Sequence, residues 1–168
     1  ALRELQLKIG LTSGTFDMIH VGHNRYLALA KQHCDVLIVG VDTDAKVRKR
    51  KGPGRPVVPG EERFEGVCHT RYADIVVPKD TDEPRWNLIK IVQPEVLIVS
   101  EREYAEGDAS EELRALVASW GGKLEIMASQ AETSTTARLR TLMVENLEAA
   151  QQQMNDLFAQ LRGTIGGG

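Results

Sequence analysis

The chain has 168 residues, 42% hydrophobic and 27% charged, the make-up of one ordinary soluble domain that can bury a real core. Lys and Arg number 21 against 24 Asp and Glu, a formal net charge of -3, so the whole-molecule field does not draw in nucleic acid and none is expected as a partner. The two cysteines, Cys34 and Cys68, have no CxxC or Cys/His spacing, and neither a signal-peptide start nor an apolar run of roughly 20 residues is present; disulfide frameworks, structural zinc and membrane spans are set aside, and a cytoplasmic setting is expected.

In chain order, short apolar runs predict strands at 7–12 (LKIGLT), 35–41 (DVLIVGV), 74–78 (DIVVP), 95–100 (EVLIVS) and 123–127 (KLEIM). Helical spacing falls between them, at 22–33, 60–70, 83–92 and 110–120. Strict alternation of strand and helix implies parallel strands joined by right-handed crossovers. The expected fold is α/β, a doubly wound, Rossmann-like parallel sheet of five strands with helices on both faces and a long C-terminal helix. In such a sheet ligands bind at the carboxyl ends of the strands.

The last predicted helix starts near Ser134 and runs to about Arg162, with Met143, Leu147, Ala150, Met154, Leu157 and Leu161 at alternating spacings of four and three. That is an a/d seam, short for a self-sufficient coiled coil. It suits either packing on its own domain or contact with a second copy or a partner domain. The expected organisation is an α/β domain over 1–142, a helical extension over 143–162 and a flexible tail over 163–168. The missing initiator Met and the closing Gly-Gly-Gly suggest an excised or processed chain that has lost a partner domain.

Chemistry concentrates where the first strand meets its helix, in SGTFDMIHVGHNRYLALA at 13–30. His20 and His23 flank Gly22 at the helix start, where unbonded backbone N–H groups and the helix dipole favour an anion. Gly14 and Gly22 let a phosphate approach the backbone closely. Two imidazoles there can donate hydrogen bonds as charge moves onto a leaving pyrophosphate, which is electrostatic catalysis without a covalent step. Two capping or surface histidines are the plain alternative. A histidine pair at i and i+3 with no third ligand nearby does not make a zinc site, so no metal ligand is assigned. Asp17 is placed to meet a nucleotide-bound Mg²⁺, and Mg²⁺ is expected to arrive with the substrate.

A second feature is local charge: six of the ten residues from Lys46 to Arg55 (KVRKRKGPGR) are Lys or Arg. A flexible loop of that composition, carrying Lys46, Lys51 and Arg55, can fold over a bound phosphate chain. A solvated surface loop is the alternative. No aromatic residues interleave the cations, which argues against a single-stranded nucleic-acid platform.

The string GTFDMIHVGH resembles the signature of the cytidylyltransferase-like nucleotidyltransferases, among them glycerol-3-phosphate cytidylyltransferases and the nucleotidyltransferase domain of ADP-heptose synthases. VGVDTDAKVRKRKGPGRPVVPGEERFEGV at 39–67 is similar to a second block of the heptose enzymes, and TSTTARLR at 133–140 to the family's closing motif. The resemblance implies that Thr15, Phe16, His20 and His23 hold and activate the triphosphate, that Lys51 clamps phosphate, and that Asp44 lies beside the acceptor or nucleotide sugar. Ser134, Thr135 and Thr136, at a helix start, would close on the β and γ phosphates, with Arg138 and Arg140 adding charge one turn later. Arg63 and the HTRYAD string with Arg71 resemble acceptor-side features, and Asp17, Lys46 and Arg55 are expected on the acceptor side with them; an Arg71–Asp74 ion pair is the structural alternative. The chain departs from the pattern at VSEREY, 99–104, where the family carries a Gly/Asp-rich turn near the base. CTP and ATP therefore both remain open as the nucleotide. The expected function is transfer of a nucleoside monophosphate to a phosphorylated alcohol or sugar, with a nucleotide-binding or assembly module lacking turnover as the alternative.

Overall fold

The structure, a computed structural model, describes residues 3–80, 85–101, 108–128, 130 and 142–156. It divides into two compact units, Ala1–Glu132 and Thr133–Gly168. In the first, β1 (Ile9–Gly14), β2 (Val36–Asp42), β3 (Ile75–Lys79), β4 (Val96–Ser100) and β5 (Lys123–Met127) form one sheet in the order β3-β2-β1-β4-β5. Every pairing is parallel. The helices are α1 (Val21–Lys31), α2 (Asp44–Lys51), α3 (Gly60–Cys68), α4 (Asn87–Val92) and α5 (Asp108–Ala118). The doubly wound α/β expectation therefore holds, with each expected strand found within two residues of its predicted bounds.

Alternation along the strands builds a core on each face. Leu11, Ile38, Leu97 and Val99 pack with Ile89 of α4 and Leu113 and Val117 of α5. Leu37, Val39, Val41 and Ile98 face the other way, onto Leu27 and Ala30 of α1 and Val67 of α3. Strands buried on both faces read as continuous apolar runs, which is why they were visible in the sequence. The chain order reverses between β1 and β4, so the topological switch point lies at the carboxyl end of β1. Tyr26 ties α1 to this point: its hydroxyl lies 2.8 Å from Thr12 Oγ1 on β1 and donates to the Ile98 carbonyl of β4 at 3.3 Å.

One expectation is corrected. The basic run is not a flexible loop: Asp44 to Lys51 is the helix α2. Thr43 caps it, its Oγ1 accepting from Lys46 N, and Arg48, Lys49, Arg50 and Lys51 fill the last turn, where cations favour the negative end of the dipole. Gly52, at φ 93°, ends it in a conformation that favours glycine. The predicted 83–92 helix is also shorter, starting at Asn87.

In the second unit the described residues form a helix over 142–156, exposed along its length. Met143, Leu147 and Met154 of the seam are 66%, 69% and 58% exposed. Leu157 and Leu161 lie outside the described residues, as do Ser134, Thr135, Thr136, Arg138 and Arg140. No described helix is long and apolar enough to cross a membrane.

Candidate active site at the end of the first strand

The loop from Gly14 to His20 crosses the switch point, and its backbone is unusual: Phe16 and Met18 both have positive φ, 52° and 50°. Non-glycine residues there carry strain of order 1–3 kcal/mol each, which the surroundings must offset. Part of the offset is packing. The Phe16 ring is buried and folds back over Gly14, where a Cβ would lie 3.2 Å from it. Gly14 thus makes room for Phe16, and the Phe16 ring belongs to the core beside α1.

The rest of the offset comes from three arginines within residues 42–63, each paired with an aspartate and each bonded to this loop. Arg50 Nη2 donates to Thr15 Oγ1 at 2.7 Å and to Asp42 Oδ2 at 3.0 Å. Arg63, whose side chain is 0% exposed, donates to the Thr15 carbonyl at 2.6 Å, the Val58 carbonyl at 3.0 Å and Asp44 Oδ1 at 2.7 Å. Asp17, buried, accepts from Val57 N, from Val58 N at 2.9 Å and from Arg55 Nη1 at 3.1 Å. Burial alone would raise the Asp17 pKa, but the Val58 and Val57 N–H groups and Arg55 outweigh it and hold the carboxyl below its usual value. The acceptor-side residues inferred from sequence are thus largely paired with one another: Asp17 with Arg55, Asp44 with Arg63. Lys46 lies 3.6 Å from Asp42 and donates to the Asp80 carbonyl at 3.4 Å. Arg71 is exposed in the turn before β3, and Asp74 pairs with Lys31 instead.

The two histidines cap α1. His20 Nδ1 accepts from Gly22 N at 3.0 Å, and His20 N donates to His23 Nδ1 at 3.3 Å. The capping role, which the sequence left as the plain alternative, is the one these contacts show. With both Nδ1 atoms accepting, each neutral ring carries its proton on Nε2, so the cap selects the tautomer. The rings lie 4.1 Å apart between centroids, with Phe16 5.5 Å from His23. Burial, with the nearby charges of His20 and Lys51, lowers the His23 pKa to about 4 against an opposing pull from Asp17. His23 is a neutral donor at pH 7. Lys51, the last residue of α2, shares this electrostatic neighbourhood. Among the described residues no group of three or more His, Cys, Asp or Glu could hold a metal ion.

The sequence matches the cytidylyltransferase-like family over residues 11–151. The chain belongs to that family. It is 38% identical over 138 residues to the bifunctional protein HldE of Caulobacter vibrioides, covering 80% of this chain and 28% of that protein. The HldE protein of Geobacter sulfurreducens is 36% identical over 129 residues, 77% of this chain and 26% of that one. The chain spans about a quarter of the length of these relatives. Among solved structures, a lipopolysaccharide core biosynthesis protein from Thermoplasma volcanium shares the fold at TM-score 0.60 and 20% identity, over 76% of this chain and 99% of that chain.

Sequence reasoning did not single out Arg50, Asp42 or the Val57 and Val58 amides. Asp42 left a signal, an acidic residue ending a buried strand four positions before a lysine. The amides left none, since every residue has one.

Proposed function

We propose that this domain is a nucleotidyltransferase that moves a nucleoside monophosphate from CTP or ATP, bound as its Mg²⁺ complex, to the phosphate of a phosphorylated alcohol or sugar. An acceptor phosphate oxygen attacks the α-phosphorus in line; the bond to the β-phosphate bridging oxygen breaks, and its electron pair leaves with pyrophosphate. The observation that carries this reading is the pair His20 and His23, locked by their Nδ1 atoms at the helix start on the switch point, with the Lys51 charge beside them. Their Nε2–H groups are the donors for phosphate oxygens as negative charge builds on the leaving group. A bound triphosphate favours the protonated form of His23 and so strengthens that hydrogen bond. Family membership supports the same chemistry, and the family resemblance assigns Ser134, Thr135, Thr136 and Arg138 to the triphosphate's far end.

Pyrophosphate release tests it, with each nucleoside triphosphate, Mg²⁺ and a panel of phosphorylated acceptors. His20→Ala and His23→Ala are expected to lower turnover by roughly a hundredfold or more with the fold intact. Unchanged turnover sinks the assignment, and no release with any pair favours a binding module without turnover.

The helix over 142–156 is proposed as a homodimer contact. With Leu147 and Met154 at a and Met143 and Ala150 at d, the flanking e and g positions hold uncharged Asn146, Gln151 and Gln153. Two identical helices then meet without like-charge repulsion.

A further inference from the structure

We propose that Arg50 is a positioning residue of this site: by bridging the Thr15 hydroxyl and the buried Asp42 carboxylate, it fixes the last turn of α2, and Lys51 with it, against the loop from Gly14 to His20 and the histidine pair. The catalytic consequence rests on the nucleotidyl-transfer reading; the structural consequence does not.

Helix α2 has eight residues and a single buried apolar side chain, Val47. A helix that short, with so little apolar anchorage, is not placed by packing alone. Its two ends are held by polar ties. At the start, Asp44 accepts from the buried Arg63 at 2.7 Å. At the end, Arg50 Nη2 lies 2.7 Å from Thr15 Oγ1 and 3.0 Å from Asp42 Oδ2, and Asp42 is 3% exposed as the last residue of β2. One guanidinium nitrogen therefore joins β2, α2 and the loop leaving β1. A planar guanidinium with fixed donors holds two acceptors at once, whereas a lysine ammonium on a flexible stem holds them poorly. Lys51 follows directly, and its charge acts on His23 together with those of His20 and Asp17. Arg48, Lys49, Arg50 and Lys51 are all exposed; what sets Arg50 apart is the nitrogen it turns inward onto Thr15 and the buried Asp42. The bridge thus sets how closely the Lys51 ammonium approaches the His23 ring.

The test follows the His23 ring by NMR titration in the full chain, alongside nucleotide KM and kcat. Lys51→Gln is expected to raise the His23 pKa by removing a neighbouring cation. Arg50→Lys, which keeps the charge and loses the bridge, is expected to raise it too, and to lower kcat/KM for the nucleotide on the order of tenfold. The double variant Arg50→Lys/Lys51→Gln should titrate as Lys51→Gln does, because the two residues act through one path. Thr15→Val breaks the bridge from its other end and should shift His23 in the same direction. An Arg50→Lys protein with wild-type titration and kinetics overturns the proposal. So does simple additivity in the double variant, which would mean that Arg50 acts independently of Lys51. The titration needs no turnover, so a protein inactive with every nucleotide would refute the functional reading while leaving this one to be decided by His23.

Discussion

Replacing Asp17 by alanine tests whether the loop from Gly14 to His20 is held by residues 55–58. The carboxylate accepts two backbone N–H groups and one guanidinium, at 2.9 to 3.1 Å, from Val57, Val58 and Arg55. Hydrogen bonds to a charged group are worth about 1.5–3 kcal/mol each, but they are not additive, and water can reach the partly exposed Arg55. Counting chiefly the two amides left without an acceptor gives a loss of about 3 kcal/mol. At roughly 2–4 °C per kcal/mol for a domain of this size, Tm falls by about 6–12 °C. Asn in the same place can still accept one N–H, so Asp17→Asn should fall between. The pH dependence adds a second check. Because the folded pKa lies below the unfolded value, the Asp17 contribution is fully present above about pH 4 and is lost as pH falls through the folded pKa. The gap between wild type and Asp17→Ala in urea unfolding should therefore be widest near neutrality and narrow in acid. A variant within about 0.5 kcal/mol of wild type at pH 7 would refute the reasoning.

Other expectations follow from single contacts. A Cβ on Gly10 would lie 2.5 Å from Cys34 Sγ and 2.9 Å from its Cβ, so Gly10→Ala should lose about 1–3 kcal/mol by overpacking, read as a lower urea midpoint. His23, with a folded pKa of about 4, stays unprotonated while the unfolded ring takes up a proton near pH 6.5. Stability should then decline as pH falls from about 6.5 to 4, and a ring titrating near 6.5 in the folded protein would contradict its burial. Sedimentation should find a concentration-dependent dimer that Leu147→Glu together with Met154→Glu converts to monomer; a monomeric wild type at all concentrations would refute the helix contact.

The strands, the switch point and the histidine pair could be read from the sequence because each rests on local information. A strand buried on both faces is a run of apolar residues, and a helix start is a short string with characteristic residues. The basic run shows where that stops. Its charge was plain at Lys46 to Arg55, yet charge alone does not say whether those cations meet a substrate or the protein itself. Thr43 and Gly52 decided that the run is a helix, and both are local. The partners of Arg50, Arg55 and Arg63 were decided by which aspartates the sheet brings to the same edge, with Arg55 and Asp17 separated by 38 positions and Arg63 and Thr15 by 48.

The sequence by itself determined the architecture and the family, since periodicity and motif are properties of neighbouring residues. Only the tertiary structure decided that the histidines are fixed as Nε2–H donors by the cap they form, and that His23 is neutral. It also decided that Asp17 and Arg63 hold the loop in shape. Those outcomes depend on burial and on hydrogen bonds between distant segments, which exist only once the sheet has brought them together.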